Sequence, residues 1–154
     1  MKKLFILLLT ISTTQLIAQG QIHLNGGITD ISNRMDGNTI TFSTGYSQFF
    51  GNLGARANYR RSSVYGLNFD SIDLVAVYRY GDRNFRLEPS LGVSYNDVDW
   101  QIDPMVGIRA SVKIDDGAWA IMDFDNIAAQ SHITHWLVGV ALDLKWWGGK
   151  IRFF

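Results

Sequence analysis

The chain has 154 residues, with 14 basic and 14 acidic side chains, 47% hydrophobic residues and no cysteine. This length suits one domain with a sizeable core or one closed barrel, and the absence of cysteine excludes both a disulfide framework and a lipid-modified cysteine anchor. The balanced charge offers no strongly basic surface, so we expect no nucleic-acid partner.

Residues 1–20 are typical of a secretory signal peptide. Two lysines precede the apolar run Leu4–Ile11, which is too short to span a bilayer as a helix. Small residues then mark a cleavage site after Ala18 or Gly20. We therefore predict a signal peptide, 1–20, and a single mature domain, 21–154, in which 12 basic residues face 14 acidic ones for a net charge near −2.

Apolar and polar residues alternate along the mature domain with a period of two, which predicts strands rather than helices. Turn and loop residues separate eight such segments. Their predicted ranges are 21–31, 39–50, 53–60, 70–80, 85–96, 102–114, 118–129 and 135–147. An even number of antiparallel strands in sequence order predicts an all-β fold, a closed eight-stranded up-and-down barrel.

The strands at 85–96 and 102–114 show the pattern most clearly, with one face purely apolar and the other carrying full charges. In a soluble barrel the apolar face would form the core, whereas in a membrane barrel it faces lipid and the charged face lines the lumen. Alternation alone leaves both arrangements open.

Aromatic residues gather near the ends of the predicted strands, which favours two interfacial girdles and hence the membrane arrangement. The girdle at the end with the short turns would contain Phe49, Phe50, Tyr78, Tyr80, Phe85, Trp119, Trp146 and Trp147. The girdle at the other end would contain Tyr59, Tyr65, Tyr95, Trp100 and Trp136.

Charges on the polar face would pair if that face lined a narrow lumen, where unpaired buried charge is costly. Antiparallel pairing about the predicted turns puts Arg60 opposite Asp73. It also puts Arg109 opposite both Glu88 and Asp123. The predicted lumen charge network is Arg60, Asp73, Arg79, Arg86, Glu88, Arg109 and Asp123. The alternative is ordinary cross-strand pairing on a solvated face.

Local features test the barrel further. Pro89 cannot donate to a ladder, so we predict a bulge or an unpaired carbonyl beside it. In the strand 118–129, Trp119 shares a parity with Asp123, and a bulge there would explain the conflict.

Glycines on the inward face would leave room for long Arg and Lys side chains or allow a close backbone approach. They are Gly45, Gly92, Gly107 and Gly139.

The chain ends in Gly148–Phe154, which resembles the terminal signal by which outer-membrane barrels are recognised by their assembly machinery. With a signal peptide, eight strands and inward charges, the mature domain resembles the small outer-membrane barrels typified by the transmembrane domain of outer membrane protein A and by outer membrane protein X. The resemblance implies a monomer in the outer membrane of a Gram-negative bacterium. Its surroundings would be outer-membrane lipids and lipopolysaccharide, with the barrel assembly machinery as partner during insertion.

We expect no general diffusion pore, because the lumen of eight strands is about filled by its own side chains, and no catalytic activity, because no catalytic motif is present. Lipid A deacylase barrels share this architecture and carry a His-x-Ser pair on the outer surface. The nearest counterpart here, 123–126, lacks nucleophile and base. His23, His132 and His135 do not make a metal site by spacing, so no metal or cofactor is expected. Two alternatives remain, namely a lipid A-modifying hydrolase that depends on Asp123 or Asp125, and a soluble periplasmic barrel that binds an apolar ligand.

Overall fold

The computed structural model describes residues 19–31, 38–64, 67–97, 101–128, 132–147 and 150–152. The predicted signal peptide therefore lies almost entirely outside the described residues, and so do Tyr65 and Trp100 of the predicted girdles. The described residues include no helix of the length and apolarity needed to span a membrane.

Eight long strands form a closed antiparallel barrel, as the alternation predicts. The strands are β1 (Gln19–Ile31), β2 (Asn38–Phe50), β3 (Leu53–Val64), β4 (Leu67–Tyr78), β5 (Phe85–Asn96), β6 (Gln101–Asp115), β7 (Ala118–Ile127) and β8 (Ile133–Trp147). Each strand pairs with the next one, and β1 pairs with β8, which closes the sheet. The short segment Tyr80–Gly81 pairs with β5, and Lys150–Arg152 pairs with β8.

The two ends of the barrel differ. At the short-turn end, β2 and β3, β4 and β5, and β6 and β7 are joined by tight connections at 51–52, 82–84 and 116–117. Gly51 and Gly117 have φ of 64° and 81°, a conformation that L side chains rarely adopt, so each supplies the residue its turn requires. We call the opposite end, where the other connections lie, the loop end.

The strands at the loop end are longer than the sequence indicates. The predicted loop 61–69 is wrong, because β3 continues to Val64 and β4 starts at Leu67, with Val64 opposite Leu67. Polar residues such as Arg61 and Ser63 extend these strands beyond the apolar band, where neither face of a strand needs to be apolar. Because apolar and polar residues do not alternate there, the segment resembles a loop in sequence. The strand predicted from 135 likewise begins at Ile133.

Pro89 lies at a gap in the ladder between β4 and β5. Pairing stops at Val77–Ser90 and resumes in the same register at Tyr80–Leu87. Of the two predicted alternatives the structure shows no bulge at Pro89 and favours the unpaired one, because the missing donor interrupts the ladder without a register shift. The backbone N–H of Arg79, within the gap, donates to the carbonyl oxygen of Asn52 at 2.7 Å.

The predicted bulge within β7 is also wrong, since β7 pairs with β8 in one continuous register. The register shift lies in β6, between Lys113 and Asp115. Trp119 and Ile121 share the inward face with the β7 aspartates and are only 2% and 4% exposed. Apolar side chains thus occupy part of the lumen.

The barrel is apolar outside and polar inside. Leu24 on β1 and Val138 on β8 are 61% and 62% exposed, whereas Asp73 and Arg109 are fully buried. The outward aromatic residues at the short-turn end include Phe50, Tyr78, Tyr80 and Phe85, and those at the loop end include Tyr59, Tyr95 and Trp136. Phe49 and Trp119 do not join the predicted girdle, because both point into the lumen.

The carboxyl-terminal segment Lys150–Arg152 turns back on β8 rather than extending it. Lys150 lies opposite Trp147, and Arg152 lies opposite Lys145. β1 reaches β8 only as far as Leu144, so this short segment pairs with the part of β8 beyond the β1 ladder.

Candidate functional site in the barrel lumen

The centre of the lumen holds a bidentate ion pair between neighbouring strands. Arg109 on β6 lies directly opposite Asp123 on β7, as the sequence predicts. Its Nε and Nη2 atoms donate to the two carboxylate oxygens at 2.5 and 2.7 Å. Asn25 of β1 donates to the same carboxylate at 2.6 Å by reaching over β8. Charged hydrogen bonds in this fork geometry are among the strongest polar contacts in proteins.

Toward the loop end, Arg60 is shared by two carboxylates. Its Nε lies 3.2 Å from Asp73 Oδ2, and its Nη2 forms an ion pair with Asp125 of the far wall. The predicted register is wrong here, because Arg60 lies opposite Ser71 and Asn58 lies opposite Asp73. The predicted contact exists all the same, since a displacement of two residues keeps both side chains on the inward face.

Toward the short-turn end, Glu88 is shared by two guanidinium groups. Arg56 Nη2 donates to one carboxylate oxygen at 2.5 Å, and Arg79 Nε donates to the other at 2.7 Å. The register places Glu88 opposite Arg109, as predicted. Its carboxylate nevertheless bonds Arg56 and Arg79, because Arg109 is already taken by Asp123.

The last predicted member, Arg86, lies at the short-turn mouth with its guanidinium carbon 3.5 Å from the centre of the Trp119 ring. Its Nη1 is 3.8 Å from Asp143 Oδ1. Arg79 is stacked in the same way over Phe49, also at 3.5 Å. All seven predicted network residues therefore line the lumen, and stacked aromatic rings define the mouth.

Neutral polar side chains fill the remainder of the lumen. His23 Nε2 lies 2.8 Å from Asn58 Oδ1 near the middle. At the loop end a chain of close contacts links four strands, with separations of 2.6, 2.5 and 2.5 Å between successive atoms. Its members in order are Ser62 Oγ, Thr41 Oγ1, Thr29 Oγ1 and His135 Nδ1. A cavity of about 20 Å³ beside this chain has room for one water molecule.

The sequence prediction missed several lumen side chains that complete the network. Arg56, Asp125 and Asp143 are charged members among them, and all three share strand parity with other inward residues, so parity alone could have identified them. Asn25 and His23 carry no charge signal. Their partners are on strands that are not adjacent, and only the closed barrel brings them together.

The inward glycines allow the close approach of a short polar group or of a neighbouring backbone. A Cβ atom at Gly107 would collide with the Asp125 carboxylate. Gly139 and Gly92 face backbone, because a Cβ would collide with the carbonyl oxygen of Leu24 at Gly139 and with that of Leu74 at Gly92. The predicted close backbone approach is thus found, and the predicted room for long cations is not.

No group of three or more His, Asp or Glu side chains suited to a metal ion occurs within the described ranges. Asp123 and Asp125, which an enzymatic interpretation would require, both point into the lumen and are held by guanidinium groups. What the site offers chemically is a set of fixed charges inside a barrel and two stacked arginines at one mouth.

A closed eight-stranded meander with an apolar outer face and a charge-paired lumen defines the class of small transmembrane β-barrels. No protein-family model matches the sequence, and no curated protein matches it either. Solved structures match the fold over most of their length.

Three of these structures show the range of proteins that share this fold. The N-terminal β-barrel domain of Pseudomonas aeruginosa OprF has a TM-score of 0.57 and 16% identity, with 81% of this chain and 96% of that chain covered. Ail, the attachment invasion locus protein of Yersinia pestis, has a TM-score of 0.57 and 13% identity, with 82% and 97% covered. The outer membrane enzyme PagL has a TM-score of 0.58 and 13% identity, with 80% and 98% covered. At such identities the likeness shows the fold alone.

Proposed function

We propose that the mature chain is a monomeric, non-catalytic barrel of the outer membrane of a Gram-negative bacterium, with a structural or interaction role at the envelope. The observation that carries this proposal is the polarity of the barrel. Exposed Leu, Ile, Val and Phe side chains surround it, while ion pairs that are almost fully buried fill the lumen.

This polarity has a large energetic consequence. In water, the outward apolar band would be exposed to solvent around the whole circumference, far beyond the apolar patches that soluble monomers tolerate. In a bilayer the same band is surrounded by lipid, and the lumen charges remain paired with one another. Outer-membrane lipids and lipopolysaccharide are accordingly the proposed surroundings.

Support for the membrane over a soluble ligand-binding barrel also comes from the lumen itself. A barrel that binds an apolar ligand needs an apolar cavity in its lumen. Bidentate and shared ion pairs occupy the centre, so we propose that this barrel neither carries an apolar ligand nor forms a general diffusion pore.

The proposal of no catalysis rests on the placement of the carboxylates. The competing interpretation, a hydrolase acting on lipid A, requires reactive groups on the outer surface, where the lipid lies. Asp123 is 2% exposed and Asp125 is 3% exposed, both inside the lumen. One neighbour is named an enzyme, so catalysis should be tested directly. Activity of the wild type on lipid A that is lost in Asp123→Asn or Asp125→Asn, with each variant first shown to be folded, would contradict the proposal.

The experiment that tests the location is fractionation of cells that express the full chain, followed by electrophoresis of the membrane fraction with and without boiling. We expect the protein in the outer membrane, with a mobility that shifts on heating. Val138→Arg places a charge in the middle of the outward face of β8 at a cost of about 2–4 kcal/mol and should reduce insertion. Asn52→Arg, in an exposed turn, should not. Release of the wild type as a soluble protein would refute the proposal.

The same preparation tests the signal peptide. β1 begins at Gln19, which lies opposite Phe49, and Gly20 lies opposite Gln48. Cleavage after Gly20 would remove two paired residues, whereas cleavage after Ala18 would keep them. We therefore expect the mass of the mature protein to place Gln19 first, and an uncleaved chain would contradict the export proposal.

A further inference from the structure

The lumen mouth at the short-turn end contains two arginines that are held in place by aromatic rings. Arg79 is stacked over Phe49 and Arg86 over Trp119, each with 3.5 Å between guanidinium carbon and ring centre. Stacking on an aromatic face fixes the guanidinium plane and leaves its N–H edge available for an oxyanion. The side chains of Arg79 and Arg86 are 10% and 15% exposed, so solvent reaches both.

The two arginines are diagonal neighbours across the β4–β5 connection. Gly81 lies opposite Arg86, and Arg79 precedes Gly81 by two residues on the same face. Diagonal positions in an antiparallel pair are separated by about 7–8 Å, within reach of long side chains. Two like charges are thus placed close together in a partly desolvated mouth, and Glu88 beside Arg79 and Asp143 beside Arg86 offset their repulsion in part.

Hydrogen-bonding capacity remains unused at this point. Arg79 Nη2 and Arg86 Nη1 are buried and have no hydrogen-bond partner. Arg86 Nη1 lies 3.8 Å from Asp143, beyond hydrogen-bonding distance. The Asp143 carboxylate instead accepts hydrogen bonds from Gln21 and Trp119, both at 3.0 Å.

The charged side chains described at this mouth carry more positive than negative charge, and a bound anion would reduce that excess. Among the described side chains, the ion pairs that centre on Glu88 and Asp143 at this mouth set three guanidinium groups against two carboxylates, an excess of one positive charge. They are Arg56, Arg79 and Arg86 against Glu88 and Asp143. The next layer, Arg109 with Asp123, is neutral. The excess positive charge therefore lies at the mouth.

We propose that this mouth binds a phosphate-type oxyanion between Arg79 and Arg86, with separate oxygens accepting from the two guanidinium groups. A tetrahedral oxyanion offers separate oxygens to both donors, and arginine is well suited to such recognition. The source is either inorganic phosphate or the phosphate of a lipid headgroup that reaches the mouth. The inference rests on the lumen geometry and does not require the membrane location.

The test titrates inorganic phosphate into protein folded in a non-ionic, phosphate-free detergent, with chloride adjusted to keep the ionic strength constant. Calorimetry measures binding, and nitrogen-15 spectra report the Nε–H signals of the two arginines. We expect saturable binding that shifts both signals. Removal of one charged hydrogen bond costs about 1.5–3 kcal/mol, so Arg86→Gln should weaken binding by about tenfold or more.

Arg83→Gln is the matched control, because Arg83 is an exposed cation in the turn at the same end, and this variant should bind as the wild type does. Arg86→Lys keeps the charge but loses the fork, and it should bind with intermediate affinity. Each variant is first shown to be folded by its heat-dependent mobility. If wild type shows no saturable binding, or if Arg83→Gln weakens it as much as Arg86→Gln does, the site does not exist.

A second arm repeats the titration in phospholipid vesicles and distinguishes the two sources. If added phosphate binds as in detergent, a soluble anion is the ligand. If the arginine signals are already shifted and added phosphate has no effect, lipid headgroups occupy the site. Both outcomes support the proposal, and unshifted signals together with an absence of binding in either medium overturn it.

Discussion

The substitution Asp123→Asn is predicted to destabilise the barrel strongly, because it leaves Arg109 as an uncompensated buried cation. The Arg109 and Asp123 side chains are 0% and 3% exposed and share two hydrogen bonds. The asparagine NH2 group would face either Arg109 Nε, or both Arg109 Nη2 and Asn25 Nδ2, so at least one existing hydrogen bond becomes a donor–donor contact. Breaking a buried pair by removal of one partner costs about 3–5 kcal/mol, and we expect a loss in that range.

The assay is urea unfolding in phospholipid vesicles followed by tryptophan fluorescence, with linear extrapolation to water. The double variant Arg109→Gln, Asp123→Asn removes both charges, and it should be more stable than the sum of the single losses predicts. The control Asp30→Asn removes an exposed carboxylate from β1 and should change stability by about 0.5 kcal/mol or less.

A particular result would refute this reasoning. If Asp123→Asn costs less than about 1 kcal/mol, the lumen is hydrated enough to solvate Arg109, and the ion pair is not what holds the centre of the barrel together. Strict additivity in the double variant would lead to the same conclusion, since a paired charge must show coupling.

Three further predictions concern single positions. In the turn at the short-turn end, two backbone N–H groups donate to Asp82 and lower its pKa. The contribution of ionised Asp82 to the free energy of unfolding is complete above the unfolded pKa of about 3.9 and is lost as pH falls through the folded pKa. The stability difference between wild type and Asp82→Asn should therefore vanish in acid. Gly107→Ala places a methyl group against the Asp125 carboxylate and should cost about 1–3 kcal/mol in unfolding free energy by overpacking. Pro89→Leu supplies a donor opposite Tyr78 within the ladder gap and should leave stability in urea unchanged or raised by about 1 kcal/mol.

Each of these has a control or a contradicting result. Gly26→Ala is the control for Gly107, since its nearest neighbour would be 3.6 Å away on the outer face, and equal losses in both would exclude the collision as the cause. A pH-independent difference for Asp82→Asn would show that the turn hydrogen bonds do not favour the charged form. A large loss for Pro89→Leu would show that the gap is required for the barrel to close.

The faces of the strands could be predicted from the sequence because a period of two is a local property. Arg79 near Glu88 and Arg109 opposite Asp123 were predicted as well, since short turns fix the register between consecutive strands. Arg60 was placed two residues out of register because polar strand ends beyond the apolar band resemble a loop. The error left the contact with Asp73 in place, since a shift of two keeps the face.

The contacts across the lumen could not be predicted in this way. Arg60 bonds Asp125 on the far wall, and Asn25 bonds Asp123 with β8 between their strands. Such pairs depend on the diameter of the barrel and on how far each side chain reaches over its neighbours. The pairing of adjacent strands determines neither quantity, so Arg56 and Asp125 were not predicted as members of the network although they share the inward face with it.

Trp119 shows why polarity is a weaker guide to the lumen than periodicity. The sequence places it on the inward face, and the conflict with a supposedly all-polar interior suggested a bulge that β7 does not contain. An eight-stranded lumen is narrow enough that side chains must fill it, and a charge network alone leaves space between its members. Trp119 fills such a space, stacks on Arg86 and donates to Asp143 at 3.0 Å. An apolar residue in register with buried charges is therefore evidence for packing of the lumen, and in this barrel it also positions the arginine to which we assign anion binding.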